Sequence, residues 1–438
     1  MRIAIVGNFG LQLKATMASR ALPMARELAR LGHPTTVLLP ADPAPAQLIQ
    51  HLNDGTGHQL LPESPPDSKP GVICATEAIP NQDVDLHTEL PDDLIHLISI
   101  GSTGSTSALA RFWLGARITW RAVWLRPDVL FAFKPISYAG LTLFAFWILR
   151  RAGLLKSVLV LDTDDWEGEG GWIDREPVPW WQRKVVIWQE RWCLRHADVV
   201  TAASRELVRL AKTVRSEVVY APNAASPSSP GWSTAEGTNV RQAYGLGGLP
   251  VVLAYTRFVE FAPERLVEAF ARIRERVPSA RLLVVGKGLH GEEQAFRRAV
   301  RQRGLDEVVH HAGWVPPGAI PSYLAAADVA LYLLDDTLLN RTKCPMKLVD
   351  LLLAGVPTVA DAVGQAREYV VDGKTGYLVA SGDPNAMAER AAALLSDVAE
   401  RRRISQTARQ YTLATWTWER QALTVSQAIQ TALNTRDA

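Results

Sequence analysis

Short apolar runs alternate with longer amphipathic stretches along most of the chain. Residues 2–7 form a β-branched run that ends at a glycine, residues 15–31 repeat apolar positions with helical spacing, and residues 35–39 form a second apolar run. A strand, a loop, a helix and another strand in this order are typical of the start of a doubly wound parallel sheet. Further strands are predicted at 94–100, 129–133, 158–162, 199–202 and 218–220.

The alternation begins again near residue 250. Residues 223–248 are rich in Ser, Pro, Gly and Thr, which is typical of a linker. We therefore predict two Rossmann-like domains of the α/β class, 1–222 and 249–416, that face each other across a central cleft where ligands bind. Residues 417–438 are predicted as a C-terminal helix, and its packing is left open, with the N-terminal domain favoured. Within 249–416, strands are predicted at 250–255, 282–286, 308–312, 329–334 and 358–360, and helices at 263–276, 292–303, 320–326 and 344–354.

The composition is typical of a globular protein and argues against several other classes of protein. Apolar residues make up 47% of the 438 positions, charged residues 21%, and the formal net charge is only +2. Such a balance is typical of a globular protein and argues against a nucleic-acid partner. Three cysteines without paired spacing argue against a disulfide framework or a cysteine zinc site. No secretory signal is evident at the start, so we expect a soluble cytoplasmic protein.

Short motifs in the second half follow one another in a specific order. They are Arg257, Val284–Gly288, Ala312–Val315, Ala327–Val329, Lys347–Asp350, Ala354–Pro357 and Asp372–Val379. The first half has looser matches at Gly7, Gly10, Arg20–Pro23, Leu31–His33 and Pro222–Asn223. Together these motifs resemble the retaining nucleotide-sugar glycosyltransferases of the GT-B fold, the group numbered family 4, over nearly the whole chain.

The resemblance implies transfer of a hexose-type sugar from a nucleotide-diphosphate sugar, with retention, to a glycan or a lipid-linked acceptor. It implies neither a metal nor a cofactor. By position, Arg257 matches the arginine that neutralises the diphosphate, Asp350 the acid that binds the ribose, and Gly10 the loop glycine beside the phosphate. The other predicted donor-binding residues are Gly286, Thr342, Lys343, Met346, Lys347 and Leu348.

The physical chemistry of these residues agrees with a diphosphate site. The guanidinium of Arg257 can donate two parallel hydrogen bonds to a phosphate. Residues 340–347 lie between a predicted strand and a predicted helix, where backbone N–H groups favour anions. Lys343 and Lys347 add positive charge to the same segment.

Two positions depart from the family pattern. Thr342 stands where the family usually has a glutamate that touches the donor sugar, and Ala262 where it often has a lysine. Both departures leave alternatives open: a catalytically inactive binding or scaffold protein of this fold, or another GT-B enzyme such as a nucleotide-sugar epimerase.

An acidic segment follows the strand predicted at 158–162. Five carboxylates fall within the eight residues 162–169. They are interpreted either as a solvated loop or as a site for an acceptor or sugar hydroxyl, with Asp165 as the preferred catalytic residue. The G-x-G-x-x-G pattern at 286–291 does not follow the first strand of its domain, so we interpret it as a tight turn and not as an NAD site.

Tryptophan is concentrated in the first half, where ten of the fourteen lie between Trp113 and Trp192. Residues 111–126 form one helical pattern with arginines and no acid, and residues 182–196 form another basic one. Such helices suit a membrane interface. In the alternative interpretation, the tryptophans lie in the core and the arginines cover the solvent face. We favour this alternative for the helix at 182–196, and both interpretations remain open for the helix at 111–126. Peripheral contact of the N-terminal domain with the inner face of a membrane is therefore a hypothesis.

Overall fold

The computed structural model describes residues 1–8, 16–40, 84–86, 95–100, 108–225 and 234–437. The chain forms two compact units. One comprises Met1–Thr163, Trp180–Thr201 and Val425–Ala438, and the other comprises Asp164–Pro179 and Ala202–Thr424. The prediction of two Rossmann-like α/β domains is confirmed, while the predicted domain boundaries remain a prediction.

One sheet has eight strands in the order β3-β4-β2-β1-β5-β6-β7-β8. The strands are β1 Ile3–Gly7, β2 Thr35–Pro40, β3 Val84–Leu86, β4 Ile95–Ile100, β5 Val129–Phe133, β6 Val158–Thr163, β7 Val199–Ala202 and β8 Val219–Tyr220. β1 pairs in parallel with β2 and β5, and only the short β3 runs antiparallel to its neighbour β4 among the pairs recorded for this sheet. The fully buried β1 and β5 are therefore central strands.

Among the described residues, four α-helices precede β7 in the first unit: α1 Leu22–Arg30, α2 Ala108–Leu125, α3 Ser137–Arg151 and α4 Trp180–His196. A single π-helical turn precedes α1. The crossovers through α2, α3 and α4 all advance in one direction across the sheet, whereas the crossover through α1 returns in the other. Because such crossovers are right-handed, α2, α3 and α4 form one layer on one face of the sheet.

The second sheet has six strands in the order β11-β10-β9-β12-β13-β14, and its recorded pairs are parallel. The strands are β9 Val251–Tyr255, β10 Arg281–Val285, β11 Val309–Gly313, β12 Val329–Tyr332, β13 Thr358–Asp361 and β14 Tyr377–Val379. Helices cover both faces, and buried residues such as Val252, Phe270 and Leu282 form the core between them.

The helices after β7 are α5 Arg205–Ala211, α6 Thr234–Ala243, α7 Pro263–Arg276, α8 Glu293–Gln302, α9 Ile320–Ala325, α10 Leu338–Thr342, α11 Met346–Leu353, α12 Ala366–Tyr369, α13 Pro384–Ser396, α14 Val398–Thr415 and α15 Trp418–Asp437. α6 lies inside the stretch predicted as a linker. It is a packed helix because Arg241 donates to the Ala326 carbonyl (3.0 Å) and to the Asp328 carboxylate (2.8 Å).

α15 belongs to the first unit from Val425 onward. Its Ser426 hydroxyl lies 2.9 Å from His33 Nε2, and Arg436 donates to the Ser157 carbonyl at 2.8 Å. The imidazole of His33 therefore has a structural contact. Within the described ranges, no helix is both long and apolar enough to cross a bilayer.

Candidate functional site

The chain leaves β9 and β10 through two loops that touch. Gly286, directly after β10, has a φ of +128°, and a Cβ there would lie 1.7 Å from the carbonyl oxygen of Thr256, which follows β9. Only glycine permits this approach of two backbones. The Gly286 N–H donates to the Gly313 carbonyl (2.7 Å). Gly286 therefore shapes the edge of the sheet, and its N–H group is already hydrogen-bonded within the protein.

A carboxylate and two cations meet at this edge. Arg257, two residues after β9, donates from Nη2 to Glu260 Oε1 at 3.3 Å, and Lys343 donates from Nζ to the same oxygen at 3.2 Å. The Lys343 and Glu260 side chains are only 8% and 10% exposed, and that of Arg257 is 25% exposed. The two cations, 86 positions apart in the chain, are therefore held side by side by one buried carboxylate.

The electrostatics of the cluster follow from burial and pairing. Burial raises the pKa of Glu260, but Lys343, Lys347 and Arg257 together outweigh it and hold this pKa below its usual range. Burial lowers the pKa of Lys343, and Glu260 opposes that shift. Glu260 is also anchored through its backbone carbonyl, which accepts from Asn340 Nδ2 at 2.6 Å. No sequence motif marks this glutamate, and its i+3 spacing from Arg257 is the one local signal for it.

The acidic segment contributes to the same cluster. Lys343 Nζ lies 5.1 Å from the ring centroid of Trp172. Burial lowers the pKa of Lys343, and the carboxylate of Asp165, like that of Glu260, partly opposes this shift. Arg175 fixes the segment by donating to the Val259 carbonyl at 3.0 Å. The charge of Asp165, the predicted catalytic residue, thus acts on Lys343, and Trp172 is a site residue that no sequence motif marked.

Another carboxylate of the acidic segment has a structural partner. Asp162 is 1% exposed and binds Arg20 through two hydrogen bonds of 2.7 Å, and it also accepts from Thr201 Oγ1 at 2.5 Å. Over the described part of the chain, no group of three or more His, Cys, Asp or Glu side chains is arranged to hold a metal ion.

α11 brings a lysine and an acid to the end of β9. Lys347 Nζ lies 5.2 Å from the ring centroid of Tyr255, the last residue of β9. Burial raises the pKa of Asp350 to about 7, against the opposing charge of Lys347. Burial and the Asp350 charge raise the pKa of Tyr255, so these three side chains share one environment. Tyr255, Glu260 and Lys347 line part of a small depression at the end of β9.

Hydrogen bonds fix the segment that carries the two lysines. Asn223 Nδ2 donates to the Cys344 carbonyl at 2.6 Å, and the Asn223 N–H donates to Cys344 Sγ at 3.1 Å. The Tyr369 hydroxyl closes this network on the Asn223 carbonyl at 2.6 Å. Asn223 thereby positions the turn from Lys343 to α11. α11 begins at Met346, two residues later than predicted.

The other predicted donor-binding residues differ in their surroundings. Thr342 is fully buried, and its hydroxyl donates to the Leu339 carbonyl at 2.9 Å. Leu348 is fully buried, whereas Met346 is partly exposed at the first position of α11. Gly10 lies outside the described residues. The side chains of Thr342 and Leu348 are therefore covered by the protein, and the Thr342 carbonyl already accepts from Ser204 Oγ at 2.7 Å.

The G-x-G-x-x-G turn has internal partners for its N–H groups. The Gly288 N–H donates to Glu293 (3.0 Å) and the His290 N–H to Glu292 (2.8 Å). Two carboxylates at this position oppose a phosphate. His311 Nε2 donates to the Gly286 carbonyl oxygen (2.9 Å), which is a structural contact.

Two family models match consecutive parts of the chain. Residues 15–224 match the family model described as glycosyl transferase 4-like domain, and residues 250–397 match glycosyl transferases group 1. The chain is 28% identical to a GDP-mannose-dependent alpha-(1-6)-phosphatidylinositol monomannoside mannosyltransferase of Mycolicibacterium smegmatis. The aligned 208 residues cover 45% of this chain and 52% of that protein. The chain thus spans about half the length of this curated relative.

Solved structures match over nearly the whole chain. A sucrose-phosphate synthase of Thermosynechococcus elongatus is similar with a TM-score of 0.69 at 18% identity, covering 99% of this chain and 100% of that one. Anabaena HepE in complex with UDP and glucose is similar with a TM-score of 0.68 at 16% identity, covering 98% and 99%. At such identities the likeness establishes the fold. The chain therefore has the GT-B fold, and its two parts are similar in turn to the glycosyl transferase 4-like model and to the glycosyl transferases group 1 model.

Proposed function

We propose that this protein is a glycosyltransferase that moves a hexose-type sugar from a nucleotide-diphosphate sugar to a glycan or lipid-linked acceptor, with retention of configuration. One observation carries the proposal. Arg257 and Lys343 share a single oxygen of Glu260, and Lys347 and Asp350 stand close by at the end of β9. Cations suit a diphosphate, and an acid suits the hydroxyls of a ribose.

Lys343 takes the place of the lysine that is missing at Ala262. The Ala262 N–H is occupied, since it donates to the Asp335 carboxylate at 3.1 Å. Lys343 is paired with the carboxylate that also pairs with Arg257. A diphosphate that reaches Arg257 would therefore also come within the field of Lys343, so the site keeps two cations without a lysine at 262.

In the proposed reaction, the bond between the anomeric carbon and the phosphate oxygen breaks while the acceptor oxygen bonds to that carbon from the same face. The acceptor proton passes to the departing phosphate oxygen. Negative charge grows on the diphosphate, and Arg257, Lys343 and the N-terminus of α11 stabilise it. Asp165 is proposed to hold an acceptor or sugar hydroxyl. No metal or cofactor takes part, and full turnover in EDTA is the expected result.

The donor nucleotide is tested by thermal shift with UDP, GDP, ADP, dTDP and CMP. A ligand that binds only the folded protein raises its melting temperature. We expect a shift with one nucleotide, its loss in Arg257→Ala and Asp350→Ala, and its retention in Arg402→Ala, an exposed arginine on α14. The relative is named for GDP-mannose and the neighbour was solved with UDP, so GDP and UDP come first.

The same panel separates the proposal from its alternatives. No shift with any nucleotide contradicts it. A shift without transfer to any glycan or lipid-linked acceptor indicates a binding or scaffold protein, and conversion of the donor sugar into an isomer indicates an epimerase. The proposal keeps the cytoplasmic location expected from the sequence, at the inner face of a membrane where the acceptor is lipid-linked.

A further inference from the structure

The helix layer of the first unit exposes six tryptophans to solvent. Trp113, Trp120 and Trp124 lie on α2, and Trp180, Trp181 and Trp188 on α4, with exposed fractions between 54% and 71%. We call these six residues the tryptophan face. The prediction that the tryptophans of 182–196 are core residues is wrong for Trp188. Soluble proteins rarely expose this much aromatic surface unless it binds something.

The exposed residues lie on adjoining helices. α2 contacts α3 through the hydroxyls of Thr119 and Thr142, which are 2.9 Å apart. α3 contacts α4 through Phe144, whose ring centroid lies 4.9 Å from that of Trp192 and 6.2 Å from that of Trp188. Because the topology places the three helices in one layer, the opposite sides of the helices cover the sheet.

The charge of the layer has one sign. α2, α3 and α4 together contain nine arginines and lysines, of which Arg150 is paired with Asp198, and one acid, Glu190. Glu190 is 1% exposed, so it adds no negative charge to the surface. Two of the cations stand over the exposed rings: Arg121 lies 5.0 Å from the ring of Trp124, and Lys184 lies 5.1 Å from the ring of Trp180.

We propose that the tryptophan face docks on an anionic lipid bilayer. Indole rings favour the headgroup level of a membrane, and arginine and lysine beside them pair with anionic headgroups. A second copy of this chain fits less well, because the same basic surface would meet its own charge. This inference rests on the proposed function and deepens it, since it makes the acceptor a lipid-borne one.

The test is flotation with vesicles of phosphatidylcholine alone and of phosphatidylcholine with about one-third phosphatidylglycerol. We expect binding to the anionic vesicles only, and weaker binding at high salt. The double variant Trp120→Ala/Trp180→Ala should weaken binding about tenfold or more. Trp314→Ala, which removes a tryptophan that is 44% exposed in the second unit, is the matched control and should bind as the unmodified protein does.

Three results would overturn the inference: no binding to anionic vesicles, equal binding by the double variant, or a dimer in light scattering that the double variant abolishes. The last result would assign the face to a second copy. Thermal shift by nucleotide, measured on the same variants without vesicles, keeps the two proposals apart. A retained nucleotide shift without vesicle binding refutes only the tryptophan face, and vesicle binding without any nucleotide shift refutes only the proposed transferase.

Discussion

Replacing Lys343 by methionine tests two separate roles of this lysine: stabilising the buried carboxylate of Glu260 and binding the nucleotide diphosphate. Methionine keeps much of the apolar stem and removes the charge. In the structure Lys343 Nζ lies 3.2 Å from Glu260 Oε1, and the pair is nearly buried. Arg257 stays at 3.3 Å from the same oxygen, so Glu260 loses one of its two direct partners.

The magnitudes follow from that geometry. Removing the sole partner of a buried charge typically costs about 3–5 kcal/mol, and because Arg257 remains we expect a loss of about 1–3 kcal/mol in the free energy of unfolding. A charge-assisted hydrogen bond to phosphate is worth about 1.5–3 kcal/mol. The dissociation constant of the nucleotide diphosphate should therefore rise by about 10- to 150-fold in Lys343→Met.

Urea unfolding and nucleotide titration are measured on the same set of variants. Glu260→Gln in the Lys343→Met background removes a buried charge that has only Arg257 left as its direct partner, so part of the lost stability should return while nucleotide affinity stays low. Lys374→Met, at an exposed lysine, serves as the matched control and should change neither quantity. The reasoning is refuted if Lys343→Met binds the nucleotide as the unmodified protein does, or if the double variant regains full affinity.

Three further predictions concern single positions. Because the pKa of Asp350 is raised to about 7, its carboxylate is protonated below that pH; nucleotide affinity should rise as pH increases through 7, and Asp350→Asn should show a flat profile. Gly286→Ala forces a Cβ to within 1.7 Å of a carbonyl oxygen at positive φ and should cost about 2–4 kcal/mol in thermal or urea unfolding, whereas Gly318→Ala, with open space around it, should be nearly neutral. Asp162→Asn leaves the buried Arg20 without its countercharge and should cost about 3–5 kcal/mol; a loss under about 1 kcal/mol would contradict the structural role of this pair.

Much of the fold is visible in the sequence because its signals are local. Strand and helix periods recur within a few residues, so the two β-α series and most of their elements were predicted within one or two positions. Local composition was misleading where contacts with a distant segment stabilise an element. α6 has the composition of a linker, but it is a helix whose Arg241 binds Asp328. The motif residues Arg257 and Asp350 were found from their order in the chain, and their role in binding a donor remains a prediction.

The tertiary structure decided which of these residues work together. Glu260 and Lys343 are 83 positions apart, and Arg20 and Asp162 are 142 apart, so no local pattern reports either pair. Whether a tryptophan such as Trp188 faces the core or the solvent depends on which side of its helix the sheet covers. The sequence by itself determined the elements and the candidate chemistry, because spacing and residue type are properties of the local chain. Charge pairing, burial and the exposed face were decided only by contacts between segments far apart in the chain, since those contacts set the solvent exposure and the neighbouring charges of each group.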